Sequence, residues 1–230
     1  YRPPAEHRRL GEAERSYILD GQEPELAPGG GRVRIGALLR RREAWGIALP
    51  RMLADPVWGM LSFWMPLYLT RVRGFDLTQI ALFAWLPFLA ADVGCLFGPM
   101  VAARLHRRGV HLIDARRWAF TLGAVLMTGM MFVSVVTSPY LAIALLCLGG
   151  FAHQTLSVTV ITMASDLFRR DEVATMAGIA GFAGNLGVLL FTLMLGHMVD
   201  QVGYGPFFIL LGVLDLVGAA LLWTLVRKPA

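Results

Sequence analysis

Residues Ala44–Arg71 read AWGIALPRMLADPVWGMLSFWMPLYLTR, and the class of the whole chain follows from them. At about 1.5 Å per residue the stretch is long enough to cross a hydrocarbon core of about 30 Å. Yet Arg51 and Asp55 lie in its first third, and Pro50, Pro56 and Pro66 punctuate it. An ionisable pair inside an apolar span is costly unless it faces protein or water, so it marks a candidate functional site. Trp58, Trp64 and Tyr68 follow the pair along the same stretch.

The composition agrees with a membrane setting. The 230 residues are 56% hydrophobic and 16% charged, with a mean hydropathy of +0.59. A soluble domain carries about 25% charged residues. The deficit, with long apolar runs, indicates an all-α integral membrane protein. The net charge of +5 sits in short loops between apolar runs, which speaks against nucleic acid as a partner and for a lipid bilayer. Cys95 and Cys147 fall inside apolar runs and read as packed thiols. The histidines are scattered, so no metal or other cofactor is expected. No signal-peptide pattern precedes the first apolar run, which begins after residue 40. The sequence opens on Tyr1, and the expectation is a piece of a longer protein.

Residues 1–43 read as a cytoplasmic loop or linker with one short helix around Gly11–Leu19. Gly29-Gly30-Gly31 lacks the Lys-Ser/Thr of a phosphate cradle, so the linker reading is preferred. Within 44–230, six apolar segments are expected at about 45–70, 77–103, 116–137, 139–166, 173–199 and 205–226. Each passes the ~20 residues that a span needs. Asp76-x-x-Gln79 has the form of a capping box before the second segment, and Ser138-Pro139 makes a turn before the fourth. Asp171-Glu172 places negative charge where the fifth begins, and Gly203-Tyr204-Gly205-Pro206 precedes the sixth.

Of the 21 Arg and Lys residues, 19 fall on one side of a six-span arrangement, with Arg71 and Arg73 on the other. The positive-inside bias then puts both ends of the chain in the cytoplasm, in a bacterial inner membrane. Gly98-Pro-Met-Val101 ends the second segment and Gly196-His-Met-Val199 the fifth, on opposite membrane faces. A 3+3 inverted repeat predicts that placement.

Several motifs together resemble those of a known family. They are Tyr1-x-x-Pro4-x-Glu6-His7 with Tyr17-Ile18, Asp55-Pro56-Val57-Trp58, Phe63-Trp64-Met65-Pro66-Leu67-Tyr68-Leu69 and Arg73-Gly74-Phe75. They continue through Phe88-Leu89-Ala90-Ala91-Asp92-x-Gly94, Gly150-x-x-His153-Gln154, Ala164-x-Asp166-Leu167-Phe168 and Gly196-x-x-x-Asp200-x-x-Gly203-Tyr204. The chain resembles the C-terminal half of a major facilitator transporter of the anion:cation symporter family, in its bacterial hexuronate branch. The resemblance implies helices seven to twelve of a twelve-helix protein, with the N-terminal six-helix half absent from this sequence. It implies proton-coupled uptake of organic anions such as glucuronate or galacturonate by alternating access. One departure is that Ala102 stands near where the superfamily loop motif often has an aspartate.

Each candidate residue admits two readings. Arg51 and Asp55, one turn apart, form either an anion contact or a pair in which Arg51 snorkels to headgroups. Trp58, Trp64 and Tyr68 either line a cavity that stacks on sugar rings or pack in the core and interfacial belt. His153, Gln154 and Ser157, in a segment rich in hydroxyls, either contact substrate or bond within the protein. Asn185, the only asparagine, needs a partner, either substrate or another helix. Asp92 is the proton-coupling candidate, with Asp215 behind it. Gly178, Gly181, Gly184 and Gly187 recur every third residue and point to close helix packing or bending. No paired His-Glu-x-x-His or Gly-x-Ser-x-Gly appears, so an enzyme is not expected. The rival readings are a carrier of another acid, such as galactonate, tartrate or an aromatic acid, or a six-helix scaffold that does not transport.

Overall fold

The computed structural model describes residues 9–20 and 33–226, and all regular structure among them is helical. The leader motif at Tyr1–His7 and the triple glycine lie outside the described residues. The short leader helix is present as α1 (Glu12–Asp20), followed by α2 (Ile35–Leu38).

The first apolar segment is broken into pieces, and its prolines explain why. α3 (Arg42–Ala54) carries Pro50 inside it and ends at Asp55, where Pro56 restarts the chain as α4 (Pro56–Gly59). Proline has no N–H and its ring crowds the carbonyl four residues back, here Met52. A π-helical turn at Met60–Trp64 then widens the helix just ahead of Pro66, and α5 (Met65–Arg71) completes the segment. The third segment is also shorter than expected. α8 (Leu112–Met127) passes into a 3₁₀ turn at Thr128–Phe132.

The remaining segments are longer. α6 (Leu77–Phe83) opens with the expected capping box, in which Gln79 N donates to Asp76 Oδ1 at 2.7 Å and Asp76 N to Gln79 Oε1 at 3.0 Å. It turns at Ala84–Trp85 into α7 (Leu86–Arg107). α9 (Pro139–Leu167), capped by Ser138, α10 (Arg170–Val202) and α11 (Gly205–Leu225) follow. Among the described residues, four stretches are long and apolar enough to cross a membrane, namely Leu77–Arg107, α9, α10 and α11. Of the six expected segments these four meet that length and composition, and the first and third are helical but interrupted.

The first segment packs on α10 and α11, and α9 packs on α7 and α8. α3 also touches α9, which joins the two groups. The core includes Tyr68, which is fully buried against Tyr204 and Phe208, their ring centroids 5.3 and 5.0 Å away. Arginines close the helix ends. Arg42 Nε and Nη2 donate to the carbonyls of Leu225 (3.0 Å) and Thr224 (2.7 Å), the last turn of α11. Beside that clasp Gly46 lies directly against Val226. Arg73 donates to the carbonyls of Val136 (2.7 Å) and Val133, just past the 3₁₀ turn.

Candidate functional site

A polar cluster forms where α3, α4, α9 and α10 meet. Arg51, Asp55 and Trp58 stand at positions i, i+4 and i+7, so they share one face despite the break at Asp55. His153 and Ser157 are one turn apart on the face of α9 that meets them. Arg51 Nε donates to Asp55 Oδ2 at 2.9 Å, and its Nη1 donates to Ser157 Oγ at 2.8 Å. The side chains of Arg51 and Asp55 are 17% and 10% exposed. This pair is therefore held inside the protein by two helices and is not reaching along the surface. Nη2 of Arg51 makes no hydrogen bond among the described residues.

Backbone geometry fixes the rest of the cluster. His153 is buried, and its Nδ1 lies 3.2 Å from the carbonyl oxygen of Ala54, which accepts the bond when Nδ1 carries the proton. That tautomer leaves Nε2 as an acceptor. Trp58 stacks on the His153 ring at 5.6 Å and 25°, and meets Phe88 edge-on at 5.4 Å. Behind the ion pair, α10 comes so close that a Cβ on Gly184 would collide with Asp55 Oδ2. One turn on, a Cβ on Gly187 would collide with the carbonyl of Met52, the group left without its helical donor by Pro56.

Other expected residues stand apart from this cluster. Tyr68 is a correction: it is wholly buried, donates to Val133 O at 3.1 Å and accepts from Arg73 Nε at 2.7 Å. Tyr68 packs on Tyr204 and Phe208, whereas Trp64 packs on Gly196 of α10 with its indole N–H buried and without a hydrogen bond among the described residues. Gln154 is half-buried and makes no side-chain hydrogen bond among the described residues. Asn185 is exposed and donates back to Gly181 O of its own helix at 2.9 Å, so it joins no second helix. Asp92 is exposed on α7. The glycine row splits: a Cβ on Gly178 or Gly181 would meet open space, while Gly184 and Gly187 pack on α3. A three-residue step falls about 60° short of a full helical turn, so such a row winds around the helix and cannot form one stripe.

Several polar contacts had no signature in residue spacing. Arg116 of α8 pairs with Asp166 and donates to Thr162 Oγ1 at 2.9 Å, tying α8 to the end of α9. Arg41 reaches Glu172 at 3.3 Å and Leu167 O at 3.1 Å, with its guanidinium over the Phe168 ring. Arg117 is buried between Asp114 and Trp223. Only Asp114-x-x-Arg117, at helical spacing, was readable beforehand. A cavity of about 570 Å³ lies between α2, α3 and α10, lined by Trp45, Met52, Phe182 and Leu186, and it is almost wholly apolar. It sits to one side of the ion pair.

Comparison with known proteins identifies the family. A family model described as Major Facilitator Superfamily matches residues 109–230. The hexuronate transporter of Escherichia coli (strain K12) is 46% identical over 233 residues, covering 100% of this chain and 54% of the relative. The galacturonate transporter of Dickeya chrysanthemi is 45% identical over 148 residues, covering 63% of this chain and 42% of the relative. The D-galactonate transporter of Escherichia coli O6:H1 is 29% identical over 230 residues, covering 95% and 53%. The chain thus spans about half the length of the curated relatives it matches. With its long apolar helices and this match over more than half its residues, the chain belongs to the major facilitator superfamily, a group of multi-pass membrane proteins.

Proposed function

We propose that this chain is the C-terminal half of a proton-coupled organic-anion symporter whose substrates are hexuronates such as glucuronate and galacturonate. The observation that carries the proposal is the set of the Arg51 fork. Asp55 holds Nε and Ser157 holds one Nη, which leaves Nη2 and the outer edge of the guanidinium for a carboxylate. In this reading His153 Nε2 accepts from a sugar hydroxyl, and the 37%-exposed Trp58 offers a ring face. The names of the relatives support the same class: hexuronate, galacturonate and D-galactonate transporters.

In this reading the six segments of residues 44–230 are six crossings, with residues 1–43 as a cytoplasmic linker. The helix pairing supports a 3+3 inverted repeat. The first segment packs on the fifth and sixth, as the fourth packs on the second and third. The arginine bias supports cytoplasmic ends and an inner-membrane location. Alternating access then rocks this half against an N-terminal six-helix half around the Arg51 cluster.

Uptake of labelled glucuronate by the full-length protein, in cells lacking their own hexuronate carrier, tests the reading. Accumulation that collapses with the proton gradient supports it, and no uptake, or uptake indifferent to the gradient, refutes it. Competition by galactonate in the same assay separates the second reading, which the D-galactonate relative favours. An Arg51→Lys variant keeps the charge but loses the fork, and uptake falls at least tenfold, about 1.4 kcal/mol in transition-state terms. Unchanged uptake would leave Arg51 as a structural tie between α3 and α9 and refute its role as an anion contact.

A further inference from the structure

The cavity of about 570 Å³ between α2, α3 and α10 takes no part in the Arg51 cluster. Trp45, Ala48 and Met52 of α3 form one side of it, and Thr175, Phe182 and Leu186 of α10 the other. From Thr175 to Leu186 the helix rises about 16 Å, the depth of one leaflet of a ~30 Å hydrocarbon core. Beyond Met52, which lines both, a second cavity of about 170 Å³ continues between α10 and α11. Those two helices are apolar enough to cross a membrane, and Phe182 stands 72% exposed at the rim. An exposed apolar groove of this extent marks a binding surface.

The mouth of the groove is built differently. α2 lies there, with Ile35 and Leu39 lining the cavity and Arg34 and Arg40 flanking those two residues in the chain. Of the neighbouring arginines, Arg41 is spent on Glu172 and Arg42 on the last carbonyls of α11. Arg34 and Arg40 are exposed, and neither side chain has a hydrogen bond or an ion pair among the described residues. Trp45 donates its indole N–H to Leu39 O at 2.8 Å, which fixes the joint between α2 and α3 and sets an aromatic ring at the mouth. Tryptophan is favoured at that level, where hydrocarbon meets water.

Two guanidiniums at the head of a leaflet-deep apolar slot match the two ends of a phospholipid. A guanidinium takes a phosphate through forked hydrogen bonds. The ammonium of a zwitterionic headgroup is repelled by a pair of arginines, so a net negative headgroup is selected. A sugar acid finds nothing to pair with inside, because the cavity is almost wholly apolar. We propose that an anionic phospholipid is a bound ligand of this chain, with one acyl chain in the groove between α3 and α10 as far as Met52 and its phosphate on Arg34 and Arg40. Seated so, the lipid joins α2 to α10 across the gap between them.

Phosphatidylglycerol with a diazirine near the end of one acyl chain, irradiated with the full-length protein in nanodiscs, tests the site without any variant. Adducts concentrated on and beside Met52 and Leu186 are expected. Adducts spread evenly over the exposed faces of α10 and α11, or none beside Met52, as when the N-terminal half covers the groove, overturn the proposal. Native mass spectrometry of the delipidated full-length protein reads selectivity. Phosphatidylglycerol should bind about tenfold more tightly than phosphatidylethanolamine with the same chains, and Arg34→Gln with Arg40→Gln should remove the preference. Gly178→Trp, at a position where a Cβ meets open space, fills the slot and lowers the affinity for both lipids. Equal binding of the two lipids by the wild type, a preference that survives the double variant, or an affinity untouched by Gly178→Trp each overturns the proposal.

Discussion

Two helix junctions use the same device for different ends. Where α7 meets α9, a Cβ on Gly94 would collide with Phe151 O, and one on Gly98 would come within 2.7 Å of Thr155 O. The backbones touch, and hydroxyls fill the seam: Thr155 Oγ1 donates to Phe151 O at 2.9 Å and lies 3.3 Å from Gly94 O, while Thr159 Oγ1 donates to Thr155 O at 2.6 Å. Where α10 meets α3, Gly184 and Gly187 allow an equally close approach, but what they admit is the Arg51–Asp55 pair and the free carbonyl of Met52. Glycine sets the spacing in both places. The first seam is closed by neutral groups that bond backward along their own helix. The second holds charge, beside a carbonyl that Pro56 deprives of its helical donor.

The comparison can be broken most sharply at Arg51. Arg51→Ala leaves Asp55 buried without its counter-charge, an expected loss of about 3–5 kcal/mol. Adding Asp55→Asn should recover most of it. Thermal unfolding of the purified full-length protein reads both, and equal melting of the single and double variants would show that the pair is not held inside. Next comes Gly94→Ala, expected to cost about 1–3 kcal/mol because its obstacle is a backbone carbonyl. Gly184→Ala should cost less stability, since the Asp55 carboxyl can turn aside, but more transport. The reverse order would mean that the charged seam is the rigid one. Thr155→Val should lower stability by about 1 kcal/mol, the worth of one hydroxyl bond. At the small end, Gly178→Ala meets open space and should stabilise α10 by roughly 0.5–1 kcal/mol.

Much of this site could be read in the sequence because helical spacing carried it. Arg51, Asp55 and Trp58 share a face by count alone, and so do His153 and Ser157. Their meeting across α3 and α9 was not readable, because spacing says which residues share a face and not which faces meet. Tyr68 misled because the π turn shifts the register ahead of it, and its partners lie five and 65 residues away. The arginine caps left no trace because their acceptors are carbonyls, which every residue has. Asp215 reads as a peripheral residue of a last helix, yet apolar packing on α3 and the 3₁₀ turn encloses it completely.

The clasp of Arg42 on the last carbonyls of α11, with Gly46 against Val226, sets the start and finish of the bundle side by side. The order of the helices along the chain is then separable from their order in space. Joining residue 226 back to residue 42 through a short flexible connection, and opening the chain at the exposed turn Arg108–Gly109, yields a circular permutant with every seam intact. Such a rearranged chain would present its new ends between α7 and α8, far along the sequence from the Arg51 cluster, where a reporter could be attached.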